Sequence, residues 1–304
     1  MGWIDFEKEI NTVVQSLQKV FVSDHEIINI SKSTQLESER YIIQKFGFFF
    51  AEGNGSSHFI KRINDEYCIE YPQGSGNKIM NKEKIVDYLE AALHQLAEGL
   101  KIYLHYFIEN VVELLVKNNL IEKLSDLERA DVVITFNYTN TYEQLYPGAT
   151  VHHIHGDTEN DIILGINPNE DDEAITVNTD FIRFKKYFQR VFYETDYGYL
   201  ETIRKMRLYH NKYPVTTLTV MGHSLDETDG DIIAELFELA GDIKILYHDK
   251  SRVASYIANL VSMFGKETFD EWRMDKNLEF VGQFTNEKYI TINQQLNDAI
   301  QSML

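Results

Sequence analysis

Two residues near the middle of the chain, Asn137 and His155, have types and settings suited to chemistry on a polar ligand. A carboxamide donates and accepts hydrogen bonds, and an imidazole exchanges a proton near neutral pH. Together they can orient a sugar or a water and withdraw its proton. Asn137 stops the run Asp131-Val-Val-Ile-Thr-Phe136, which is β-branched and has the length of a buried strand. His155 closes a second run, Val151-His-His-Ile-His155, just before Gly156-Asp157. In an open α/β sheet, side chains past the carboxyl ends of the strands face the ligand crevice, and both residues would stand there. Each also has an ordinary structural role. An Asn after a strand commonly makes a turn or caps a helix, and a His at a strand end is commonly a hydrogen-bonded rim group.

The elements that must hold this pair follow from the hydrophobic pattern. Val215-Thr-Thr-Leu-Thr-Val-Met221 reads as a further strand, and Gly222-His-Ser224 turns it toward a helix at 231–240. Gly222 lets a ligand approach the backbone, while Ser224 and the helix N-terminus offer donors to a ribose or phosphate. Asp242-Ile-Lys-Ile-Leu-Tyr-His248 is another strand, followed by a helix over 251–264. The near-continuous Val/Ile/Leu character of runs 131–136, 151–155, 216–221 and 243–248 predicts one mainly parallel sheet flanked by helices. Asn137, His155, Gly222 and Ser224 would then converge on one crevice. Upstream, Phe6, Ile10, Val13, Val14, Leu17 and Phe21 mark an amphipathic helix over 5–22. Residues 47–81 read as loops around one or two short strands, with a possible edge hairpin. A stripe from Val86 through Leu89, Leu93, Leu96, Leu100, Leu104, Phe107, Ile108 and Val111 to Leu115 predicts one or two helices packed on a core. The expected organisation is a mainly helical subdomain at 1–128, an α/β domain at 129–265, and a tail at 266–304. The tail holds a Trp272/Phe280/Phe284 cluster and a final helix.

Thr135-Phe-Asn137-Tyr138, Leu145-Tyr-Pro-Gly148 and His153-Ile-His155-Gly156 together resemble the sirtuin signature, in which a T-x-N stretch is followed further on by H-G. The fuller form, TFNYTNTYEQLY and HHIHGD with IILGI and VMGHSLDETDGDII downstream, is similar to the AbiH family of bacterial phage abortive-infection proteins. The similarity covers residues 131–265 well and the helical first half loosely. It implies a Rossmann-like, sirtuin-like α/β fold with NAD as substrate or ligand. It further implies His155 as general base on a ribose hydroxyl and Asn137 as the group that orients the nicotinamide ribose or a water. Thr135, Tyr138, Gly156, Gly222, His223, Ser224 and Asp229 are implied as cofactor contacts. Chains of that family open with a strand and a GNGFD-like glycine-rich turn that cradles the pyrophosphate. This sequence opens instead in Trp3-Ile-Asp-Phe-Glu7, so weak dinucleotide binding is expected of it as it stands. Thr139 stands where sirtuins carry an acidic residue. Two readings result. One is a defence enzyme that cleaves NAD; the other is a non-catalytic sensor or interaction protein that keeps the fold, with a phage protein or a second copy as partner.

Composition narrows the alternatives. Asp and Glu number 48 against 29 Lys and Arg, a formal charge of −19 that repels phosphate backbones and argues against nucleic acid as a partner. Cys68 is the one cysteine, so neither an internal disulfide nor a thiolate-ligated metal site can form. The first residues lack the basic-then-apolar order of a signal peptide, and no apolar run approaches the ~18 residues of a membrane span. A cytoplasmic protein is expected. A metal hydrolase on His152, His153, His155 and Asp157 is the third reading. Alternation along a strand puts His152 on the face opposite His153 and His155, which leaves too few ligands, so no metal is expected.

Overall fold

The computed structural model describes residues 6–22, 46–53, 59–70, 72–74, 76, 78–118, 130–166, 179–195, 198–207 and 215–283. The acidic stretch after Ile166, Phe284 and the final helix expected in the tail lie outside them. The chain folds as two compact units, each built from two segments. Residues 1–101 and 162–193 form the first; 102–161 and 194–304 form the second.

In the first unit, helix α1 (Phe6–Val22) forms where the apolar spacing places it. Val14, Leu17 and Phe21 recur at three and four residues and are buried with Phe48, Tyr67, Ile85, Val86, Leu89, Phe181 and Phe184. Region 47–81 holds two antiparallel pairs: β1 (Phe49–Gly53) with β2 (Phe59–Ile63), and β3 (Cys68–Glu70) with β4 (Lys78–Met80). Burial, then the charge of Asp65, pushes the Cys68 thiol up, which opposes thiolate reactivity. The buried ammonium of Lys186 meets Glu7 Oε1 at 2.6 Å, a pairing that keeps a core charge tolerable.

Helix α2 (Lys82–Tyr103) runs into a π-helical turn (Leu104–Glu109) and then into α3 (Asn110–Lys117). The apolar stripe does not remain on one buried face. Val86, Leu89, Leu104 and Leu115 are buried, while Leu96, Phe107 and Val111 are exposed. A π turn carries an extra residue, and each added residue rotates the following face by about 100° on a 3.6-residue helix. A strict α-helical count therefore misplaces the residues that follow it.

The second unit carries the parallel strands. β5 (Val133–Thr135) pairs with β6 (Val151–His153), and short helix α4 (Thr141–Leu145) lies between them in sequence. β7 (Val215–Met221) pairs with β8 (Ala240–Tyr247), and β8 with β9 (Glu279–Gly282), all parallel. The single sheet expected for the four runs is thus two hydrogen-bonded sheets, and β9 is a strand the tail did not advertise. β5 and β7 do not pair. Instead, residues 130–137 and 215–223 line the walls of one cavity of about 640 Å³. A pattern of apolar runs records that a strand is buried on its faces and says nothing about which edge it shares, so the division was invisible in it. The result is a mixed helix-and-strand fold with small parallel sheets; a continuous Rossmann-like sheet is not formed among the described residues.

Three further helices cover these strands or connect to them: α6 (Gly198–Arg207), α7 (Gly230–Leu239) and α8 (Arg252–Asp275). Helix α5 (Lys186–Phe192) belongs to the first unit. One side of α7 buries Ile233 and Phe237 with Ile243, Ile245, Leu260 and Trp272. The other side buries Ile232 and Leu236 with Ile154, Tyr199 and Ile203. Helix α8 continues beyond the expected 264, with a break at Gly265 where φ is +79°. Lys276 then caps α7: its Nζ donates to the carbonyls of Phe237 at 2.9 Å, Glu238 at 2.9 Å and Ala240 at 3.2 Å. A cation placed on the last carbonyls of a helix satisfies them and complements the dipole.

Candidate functional site

The exit from β5 is fixed by its backbone. Thr135 Oγ1 accepts the Asn137 N–H at 3.1 Å, and His153 Nδ1 lies 3.0 Å from the Asn137 carbonyl. The other nitrogen of His153 faces Glu143 Oε1 on α4 at 2.7 Å. Both neighbours of this ring are acceptors, so it donates to both at once only as an imidazolium. Asn140, not Asn137, occupies the cap position of α4. The Asn137 carboxamide is therefore not consumed by a turn or cap, and it is exposed with no hydrogen bond among the described residues.

The exit from β6 is held against the first, because the Ile154 N–H donates to the Thr135 carbonyl at 3.0 Å and the Thr158 N–H to the Tyr138 carbonyl at 3.0 Å. His155 is 4 % exposed. Its ring meets Phe136 edge-on at 5.4 Å and Tyr138 at 6.2 Å between centroids. Its Nε2 lies 2.9 Å from Asp229 Oδ1 and donates to it, which leaves Nδ1 without a hydrogen bond among the described residues. Gly156 follows with φ of +74°, a conformation glycine adopts without the steric cost a side chain would bring. Burial alone would raise the Asp157 carboxyl. Hydrogen bonds from the Asn160 side chain and from the Glu159 and Asn160 amides outweigh it and hold Asp157 below the usual range.

The exit from β7 brings the third group. Gly222 has φ of +71° and is exposed. His223 Nδ1 accepts the Leu225 N–H at 2.9 Å, so its proton sits on Nε2, which faces Asp229 Oδ2 at 3.5 Å. Asp229 is 7 % exposed, in the cap position of α7, where the helix dipole favours a carboxylate. Asp229 was expected among the cofactor contacts; its two oxygens face the imidazoles of His155 and His223. Ser224 is exposed, and its carbonyl accepts from Asn259 Nδ2 at 3.2 Å.

The three strand exits therefore meet, with the rings of Phe136 and His223 4.3 Å apart. Thr135, Asn137, Gly222 and His223 line the 640 Å³ cavity together with Tyr142, whose phenol is pushed up by burial and by Tyr146. His155 is not one of its walls. It touches one residue that is, Phe136, by ring contact, and it shares Asp229 with another, His223. The three histidines of the metal reading turn to different partners. His152 turns to Thr202 Oγ1 at 3.1 Å, with burial lowering its pKa, while His153 turns to Glu143 and His155 to Asp229. The three histidines of residues 152–155 thus serve three separate partners.

The sequence reading missed Glu109. This carboxylate lies in the π turn and is 6 % exposed. Its Oε1 accepts the Asn140 N–H at 3.1 Å and the Thr158 hydroxyl at 2.7 Å. The signal available was one acid flanked by the stripe residues Phe107, Ile108 and Val111.

The family model of bacteriophage abortive infection AbiH matches residues 1–248, which include every residue of this site. The chain belongs to the AbiH family. Membership gives it a role in abortive infection, the defence of bacteria against phage. Among curated proteins and among solved structures, nothing matches this AbiH chain. No helix among its described residues is long and apolar enough to cross a membrane.

Proposed function

We propose that this AbiH chain acts in phage defence as a nucleotide-cleaving enzyme, with NAD or a related dinucleotide as substrate and His155 as base. The observation that carries the reading is the buried Asp229–His155 pair at 2.9 Å. A carboxylate that accepts the Nε2–H hydrogen bond fixes the tautomer and leaves Nδ1 as the basic nitrogen, and it stabilises the imidazolium formed when Nδ1 takes a proton. In a glycohydrolase step, water oxygen bonds to the ribose carbon and the carbon–nitrogen bond to nicotinamide breaks. The bonding pair leaves with nicotinamide, and the water proton passes to His155 Nδ1. The free carboxamide of Asn137 would orient the ribose or that water, with Thr135, Tyr138, Gly156, Gly222, His223 and Ser224 around the nucleotide.

The test is nicotinamide release from NAD by the purified protein, beside His155→Ala and Asn137→Ala. Loss of the base or of substrate orientation costs several kcal/mol of barrier, so release should fall on the order of a thousandfold in each variant. The near-complete burial of His155 favours a second reading, a sensor without chemistry that answers a phage protein. Full protection of cells by the His155→Ala protein would overturn the enzymatic reading and leave the sensor.

A further inference from the structure

We propose that Glu109 is a positioning residue, which sets the geometry between Asn137 and His155 by tying together the two loops that carry them. The inference rests on the enzymatic reading for its consequence in rate, and on geometry alone for the tie itself. Residues 137–140 leave β5 and residues 155–158 leave β6. One oxygen of Glu109 holds a residue of each, the Asn140 N–H at 3.1 Å and the Thr158 hydroxyl at 2.7 Å. The second oxygen meets His105 Nδ1 at 3.0 Å, so both oxygens of the carboxylate are engaged.

The local helix is built at a cost to place this acid inside. Leu104 and Glu109 are both buried, five residues apart, the span of a π-helical i→i+5 hydrogen bond. A regular α-helix would instead bring residue 107 or 108 under Leu104. Phe107 is 62 % exposed. The turn leaves Phe107 exposed and buries the Glu109 carboxylate, whose desolvation is offset by its contacts with His105, Asn140 and Thr158. Such a conflict between local preference and the adopted structure is characteristic of functional positions, where π turns also concentrate. With Asn140 three residues beyond Asn137 and Thr158 three beyond His155, the carboxylate restrains both loops at equal remove from the groups that matter.

The experiment compares Glu109→Ala and Glu109→Gln with the unmodified full chain. In Glu109→Ala, kcat for nicotinamide release should fall on the order of a hundredfold with KM changed less than about threefold, because orientation and not binding is lost. Glu109→Gln keeps an oxygen acceptor and should restore kcat to within about tenfold. Thermal unfolding is measured alongside. A lowered Tm with kcat unchanged in the folded fraction would mean a purely structural role and overturn the proposal. Should the unmodified chain release no nicotinamide, the enzymatic reading fails by itself, and the tie is then decided by NMR. The Asn137 amide and the His155 ring signals should shift in Glu109→Ala and return toward their original positions in Glu109→Gln. Signals that stay in place in both variants would overturn it.

Discussion

Asp229 Oδ1 and His155 Nε2 are 2.9 Å apart, although 74 residues separate them in the chain, and both side chains are buried. The pair is the most enclosed contact between titratable groups at the strand exits. Asp229→Asn removes the charge while preserving the shape. Nicotinamide release should fall at least on the order of a hundredfold, since the imidazolium loses its counter-charge and the ring its fixed tautomer. Far-ultraviolet circular dichroism should be unchanged, and retention of full rate would show that Asp229 takes no part in the reaction.

His152 gives a pH dependence with a definite sign. Burial lowers its pKa below the usual 6.5, so the unfolded chain binds this proton more readily than the folded one. The contribution to stability is present above pH 6.5 and is lost as pH falls from there through the folded value. His152→Gln keeps a hydrogen-bonding group toward Thr202 and removes the titration. Its Tm should decline less steeply between neutral and mildly acidic pH than that of the unmodified protein. Parallel curves for the two would refute the assignment.

Two glycines separate steric from conformational strain. At Gly165 an added Cβ would lie 2.9 Å from the Phe184 carbonyl oxygen and 3.0 Å from the Lys186 nitrogen, both main-chain atoms that cannot swing away. At Gly222 the space is open and only φ of +71° resists a side chain. Gly165→Ala should cost about 2–3 kcal/mol by overpacking, and Gly222→Ala about 1 kcal/mol by its backbone alone. Urea midpoints would rank them, and a Gly222→Ala protein less stable than Gly165→Ala would invert the argument.

The parts of the fold that a sequence can carry locally were legible. Helix α1 was marked by its spacing, and strands β5 to β8 by their β-branched runs. The turn at Gly222 was marked by its glycine. What was not legible depends on distant neighbours. Asp229 lies in Asp226-Glu-Thr-Asp229, where composition gives no sign of which acid is buried; its burial is decided by a histidine far away in the chain. Glu109 was hidden because counting by 3.6 presumes an α-helix, and the π turn changes which residue faces inward. The separation of β5 from β7 was hidden because edge pairing leaves no mark on the alternation of side chains. At the site, the run of apolar residues before Asn137 marks a strand exit, while the burial of His155 depends on partners that no local pattern shows.

The trough between β5 and β7 also bears on how copies of this protein behave toward one another. Among the described residues β5 pairs with β6 alone and β7 with β8 alone, and a strand edge that no ladder covers is a template on which another strand can grow. Val132-Val-Ile-Thr-Phe136 and Val215-Thr-Thr-Leu-Thr-Val-Met221, which line it, contain neither a charge nor a proline, the composition of segments that seed aggregates. What opposes growth is long-range repulsion from a formal charge of −19. Salt shortens the reach of that repulsion to roughly 3 Å at 1 M. Concentrated salt should therefore favour association of copies through these two strands.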